Sequence, residues 1–219
     1  MRPHALALLP VLLALPGTAA AQPGALSPAR GAQLFVQSFQ PLPGETSLLA
    51  LARRERLDWT ATQNLFATQV TDEEHSFLDW RGSSVEAGGR TFTTLRAAAY
   101  PQGNRALLVL NREWCRAGSC QQRTAFGWVD ARGLRPVPEA DVIQLIRDAD
   151  FLVGPPPACL RGVSLGVQYL PSRQRAGLTI LPVVPDPVRR TCEAAGANLT
   201  AALRALQLNW VPGAGKFRW

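Results

Sequence analysis

The apolar positions of this chain begin at helical spacing and then change to short runs broken by turns. Ser27-Pro28 reads as an N-cap followed by proline at the first helical position, and Leu34, Phe35 and Phe39 then recur on one side. A short helix is expected over about 27–39. From Glu45 to Leu57, Leu48, Leu49, Leu51, Ala52 and Leu57 oppose Arg53, Arg54 and Arg56, the pattern of a second, amphipathic helix lying on a core. GSSVEAGG at 82–89 reads as a loop. From Arg90 the runs RTFTTLRAAAY, RALLVLNREW and QQRTAFGWVD alternate with PQGN and CRAGSC. They predict a three-stranded antiparallel meander with PQGN and RAGS at its turns. RALLVLN is apolar on both faces and takes the middle position.

The second half repeats the order of helix and then strands. Pro138 and Glu139 open PEADVIQLIRDADFL, where Val142, Ile143, Leu145, Ile146 and Leu152 supply an apolar side, so a helix is expected at about 138–152. GPPPA at 154–158 can join neither a helix interior nor a central strand. Beyond it, Val163, Leu165, Val167 and Tyr169 alternate with Ser164, Gly166 and Gln168, and GLTILPVV follows the turn PSRQRAG. A helix at about 187–204 and a terminal hairpin, LQLNWVP, GAG, KFRW, complete the reading, with Leu206, Leu208 and Trp210 on one face.

The fold class expected is α+β: short helices packed on antiparallel sheet, disulfide-stapled, with two helix-plus-meander subunits as the finer arrangement. The 47% hydrophobic content is enough for a real core. One α+β domain is expected over residues 22–219, with a sub-boundary near 133–158. No motif set carries a family assignment.

Residues 1–21 change the picture of where this domain resides. Arg2, the short apolar stretch LALLPVLLALP and the small residues of GTAAAQ form a secretory signal peptide with its cut expected after Ala21. The apolar stretch is about a dozen residues, short of the roughly 20 needed to span a bilayer, and no later segment is long and apolar enough, so no transmembrane segment is expected. No cysteine follows the cut to take a lipid anchor, and Arg2 alone makes no twin-arginine signal. A soluble secreted or periplasmic protein is therefore expected.

The whole chain carries 23 Lys+Arg against 16 Asp+Glu, a formal charge of +7, and loss of Arg2 with the leader lowers this to +6. Lys216 is the one lysine. The arginines are scattered, so no nucleic-acid partner is expected; a solvated surface is the plain reading, and weak contact with anionic envelope polymers the functional one.

Four cysteines in an exported chain invite full pairing. Cys115 and Cys120 flank a hairpin turn and are expected to bond, leaving Cys159 for Cys192, a longer bridge that contributes about 3 to 4 kcal/mol in the chain-entropy picture. A thioredoxin-type redox pair has two intervening residues at a helix N-terminus, whereas CRAGSC has four in a strand-turn-strand setting. A structural zinc site needs further Cys or His at ligand spacing, and none is present. No cofactor and no metal are expected.

Enzyme chemistry has few carriers. His75, in VTDEEHSFLDW beside Asp72, Glu73, Glu74, Ser76 and Asp79, is the one imidazole after the leader, and no G-x-S-x-G elbow accompanies it. Lys216 lies in the last hairpin, away from any dyad serine. Glu86, Glu113 and Asp130 lie on or beside the meander and form the set from which a glycosidase would draw a carboxylate pair. GAGK at 213–216 lacks the upstream glycine of a phosphate loop and has Phe217 where magnesium needs Ser or Thr. Trp59, Trp80, Trp114, Trp128, Trp210 and Trp219 suit a core or a stacking surface, with Trp114 read as packing over the disulfide at Cys115. NLT at 198–200 fits a glycosylation acceptor but falls in an expected helix. The function expected is an exported, non-enzymatic binding or envelope-associated protein; the alternative is a secreted hydrolase using carboxylate or His75 chemistry.

Overall fold

The computed structural model describes residues 27–173 and 177–219. The expected signal peptide, its expected cut after Ala21 and part of PSRQRAG, read above as a turn, lie outside the described residues. Helix α1 spans Pro28–Ser38, and the Ser27 hydroxyl caps it by accepting the Arg30 N–H at 3.1 Å. Helix α2, Leu48–Arg54, starts later than the expected Glu45 because Ser47 is the cap, its hydroxyl accepting from the Ala50 N–H at 3.2 Å. Helix α3, Trp59–Asn64, is a separate element capped by Asp58.

Strands β1 (Thr68–Asp72), β2 (Phe77–Glu86), β3 (Gly89–Gln102), β4 (Arg105–Arg116), β5 (Ser119–Asp130) and β6 (Gly133–Pro136) pair in chain order as one antiparallel sheet. The expected three-stranded meander is thus the centre of a six-stranded one. Most of 82–89, read as a loop, is the end of β2. Gly82 marks a close approach rather than a turn: a Cβ there would lie 2.5 Å from the Leu65 carbonyl oxygen and 3.0 Å from Phe66 Cα.

The double apolar character of β4 has a direct cause, since it is covered on both faces. Leu108 and Leu110 pack with Ala32, Val36, Leu48 and Leu49 of the helices. Leu107 and Val109 face Leu178, Ile180, Leu208 and Phe217 of a second sheet. That sheet has the order β10-β9-β8-β7, where β7 is Gly166–Pro171, β8 Gly177–Val183, β9 Leu206–Val211 and β10 Lys216–Arg218. Three layers result, helices on sheet on sheet, a mixed α+β fold dominated by sheet. Polar ties cross between the sheets: the Tyr100 hydroxyl donates to the Gly177 carbonyl at 2.9 Å and the Trp210 indole N–H to the Pro101 carbonyl at 3.0 Å.

The helix expected at 138–152 is reduced to one turn, α4 (Glu139–Val142). Ile143 leaves it to bridge Phe217, and the Gln144 N–H donates to the Phe217 carbonyl at 3.1 Å. A 3₁₀ turn at Asp148–Phe151 then buries Phe151 and leaves Leu145 exposed. Pairing with a distant strand overrides the local periodicity here. The helix expected at 187–204 is two, α5 (Asp186–Ala194) and α6 (Leu199–Ala202), separated at Gly196, whose φ is +68°. Asn198 caps α6 through its side-chain oxygen.

Both expected cysteine pairs are disulfide-bonded. Cys115 and Cys120 face each other across β4 and β5 with Cα atoms 4.0 Å apart. Cys159, beside a short 3₁₀ turn at Ala158–Leu160, joins Cys192 of α5. Among the described residues no helix is long and apolar enough to cross a membrane.

Candidate functional site

Where α1 crosses the sheet toward β6, it leaves an apolar cleft of about 250 Å³. Phe35 and Phe39 form the helix wall, Leu108 and Arg112 the floor on β4, and Ala125, Gly127 and Leu134 the far side on β5 and β6. Ser38 and Gln40 lie at its polar rim. Gly127 helps to hold it open, because a Cβ there would meet the Leu134 side chain at 2.5 Å.

The chemistry of the cleft is concentrated in Arg112. Strand alternation places Arg112 on the same face as Leu108 and Leu110, where a cation needs a partner. Its side chain is 8% exposed and that of its partner Glu45 is 0% exposed. Nε donates to Glu45 Oε1 at 3.1 Å and Nη2 to Oε2 at 3.4 Å. The Ser47 hydroxyl and the Leu42 N–H donate to the same carboxylate at 2.7 and 3.0 Å. The guanidinium carbon lies 4.6 Å from the Phe39 ring centre, 5.8 Å from Trp114 and 5.9 Å from Phe35, a cation held among aromatic faces. Among the described residues its other N–H groups meet no protein acceptor. Sequence reading missed this centre. The available signal was an arginine continuing the apolar face of β4, while Glu45 gave none, since it reads as the start of a helix.

The residues singled out for catalysis lie elsewhere and apart. His75 sits in the β1–β2 turn, half exposed, with Nδ1 3.0 Å from Asp72 Oδ2. Asp72 also accepts from Arg173 Nε at 2.6 Å and from the His75 backbone N–H at 3.1 Å. The Arg173 bond, and then the His75 N–H, holds the Asp72 carboxyl at about 2, below its ordinary 3.8. Glu86 pairs with Arg54 of α2. Glu113 accepts from Gln168 of β7 at 3.2 Å, and Asp130 accepts from Arg135 at 3.2 Å and from the Arg132 N–H at 2.8 Å.

In the strand register Glu113 faces Gln122, eight residues before Asp130 on β5, or about 26 Å at strand rise. Glu86 faces Gly89, five residues along β3 from the Thr94 that Glu113 faces, about 16 Å. A glycosidase pair needs its carboxyl groups within about 5 to 10 Å. The register does not bring these three acids together.

Glu113, Cys115 and Cys120 place ligand-type atoms within 4.8 Å of one another, but both sulfurs belong to the disulfide, so no thiolate is on offer there. Tyr169 donates to the Glu139 carboxylate, and burial first, with that carboxylate second, pushes its hydroxyl far above the ordinary range. It stays a phenol.

Trp80, Trp114 and Trp210 are buried, Trp59 packs on Trp80 at 5.5 Å, and the Arg105 guanidinium lies 3.8 Å over Trp128. Trp219 is exposed. Trp114 does not cover the disulfide: neighbouring strand residues point to opposite faces, and its ring lies beside Arg112.

Compared with protein-family models, with curated proteins and with solved structures, the chain matches none of them.

Proposed function

We propose that this is an exported, non-enzymatic binding protein that holds a small, uncharged, largely apolar ligand in the cleft between α1 and β4–β6. The single observation that carries the reading is the ion pair at the cleft floor. Glu45 already balances Arg112, so a ligand carboxylate would bring a second negative charge beside a buried one. An ester, amide or alcohol oxygen would instead accept from the remaining Arg112 N–H groups without that repulsion. The apolar walls suit a short acyl or aryl body; at about 30 Å³ per water, the volume equals about eight waters.

Two further observations support the binding class over the hydrolase. The cleft lining offers no imidazole, thiol, free carboxylate or amine, and the Ser38 hydroxyl is engaged with the Leu34 and Phe35 carbonyls. The acids and His75 lie outside it. Export is supported by the two disulfides, which persist in oxidising compartments.

Methyl hexanoate and hexanoate separate the readings in one experiment. The ester should raise the thermal midpoint saturably, hexanoate should not, and the cleft-filling variant Ala125→Trp should abolish the effect. Release of hexanoate from the ester, or stabilisation that survives Ala125→Trp, refutes the proposal.

A further inference from the structure

We infer that a second concave surface, between α1 and the α2–α3 corner, is a docking groove for an acidic polysaccharide. It adjoins the cleft described above at Gln40, which lines both, and its other lining residues are different ones. Two hollows, of about 670 and 530 Å³, share Ala52, Arg53 and Leu57 and so form one continuous open groove. Arg53, Arg54 and Arg56 supply the cations; Gln37, Gln40 and Trp59 lie along the walls.

The charge is available. Arg54 is tied to Glu55 and Glu86, but among the described residues Arg53 and Arg56 have no acidic partner. Two acids line the groove, and both are engaged: Asp58 accepts the Ala61 N–H at 2.7 Å as the cap of α3, and Glu45 is neutralised by Arg112 at 3.1 Å. Trp59 is fixed by its packing on Trp80, and it presents a rigid ring at the end of the groove.

A second, independent observation comes from the backbone of Arg56. Its φ is +56°, and the Leu57 N–H donates to the Ala52 carbonyl at 2.9 Å, so Arg56 holds the left-handed position that ends α2, a place where glycine is favoured. An arginine there carries a local backbone cost that glycine would not, and this fixed corner at the end of α2 places Arg56 in the lining of the first hollow.

The occupant follows from the chemistry. Guanidinium groups pair with carboxylates, carboxamides exchange hydrogen bonds with hydroxyl groups, and an aromatic ring offers a flat apolar face to a sugar. A concave wall admits an extended chain, whereas a bilayer presents a flat plane that does not enter it. A glycan bearing carboxylates meets all three requirements.

The test is titration calorimetry of the folded protein with oligogalacturonate at low salt, beside neutral dextran, phosphatidylglycerol vesicles and single-stranded DNA. Oligogalacturonate should bind, more weakly as salt rises, and dextran should not. Arg53→Gln with Arg56→Gln should weaken binding about tenfold or more without lowering the thermal midpoint. Arg56→Gly separates fold from function, since it should raise the midpoint while weakening binding. Ala125→Trp should leave oligogalacturonate binding unchanged. Absence of binding, equal or tighter binding to vesicles or DNA, or binding indifferent to the arginine variants overturns the proposal.

Discussion

Arg112 follows Leu108 and Leu110 on the helix-covered face of β4, and its burial is tolerable because Glu45 meets it from the loop before α2. Removing one partner of a buried pair strands the other, at a cost of about 3 to 5 kcal/mol. Arg112→Leu should therefore lower stability by about that amount in urea unfolding, and Glu45→Leu in the same chain should restore much of it. Asp72 makes a different prediction. Its carboxyl titrates near 2 when folded, below the ordinary 3.8, because Arg173 and the His75 N–H bind the charged form. A depressed carboxyl stabilises the fold above its unfolded value, and that contribution is lost as pH falls toward the folded value. The stability gap between the protein and Asp72→Asn should thus be constant from neutral pH to about pH 5 and shrink between about pH 4 and 2, read from urea midpoints. Residue types were legible in the sequence, but partners were not. Nothing local marks Glu45 as the counter-ion of a residue on the fourth strand.

The hairpin of β4 and β5 shows what an element reveals of itself. Apolar runs, a tight turn and cysteines at matching positions specify the pairing, and the register sets Cys115 opposite Cys120 as the spacing implies. Its two turn residues, Ala117 and Gly118, have φ of 50° and 79°. Glycine takes this left-handed geometry freely, but alanine does not. Ala117→Asn supplies the residue that such two-residue turns favour and should add up to about 1 kcal/mol in denaturant unfolding. β1 was illegible for the opposite reason: TQVTD lies at the sheet edge with Val70 as its one apolar residue, so no alternation is written into it. The Arg112 cleft was illegible at this scale too, since it exists only where α1 meets β5 and β6.

In the whole molecule, the two disulfides act at different lengths of chain. Cys159 and Cys192 are 33 residues apart, Cys115 and Cys120 only 5. In the chain-entropy picture the first bridge contributes about 4 kcal/mol and the second about 2. Replacing Cys159 and Cys192 by serine should lower the unfolding free energy about twice as much as replacing the other pair. The α+β class was legible from alternating helical and strand-like text, yet the layering was not. That β4 is apolar on both faces announced two coverings without saying that one would be a second sheet. That covering is completed late in the chain: Phe217 is fully buried against Tyr100 and Trp210, with ring centres 4.7 and 5.0 Å apart. Until residue 217 is in place, Tyr100, Leu107, Val109 and Phe126 have no finished cover. A polypeptide made from its N-terminus therefore keeps this apolar slab half-built until its last hairpin closes, and exposed apolar surface of that kind invites aggregation in the interval.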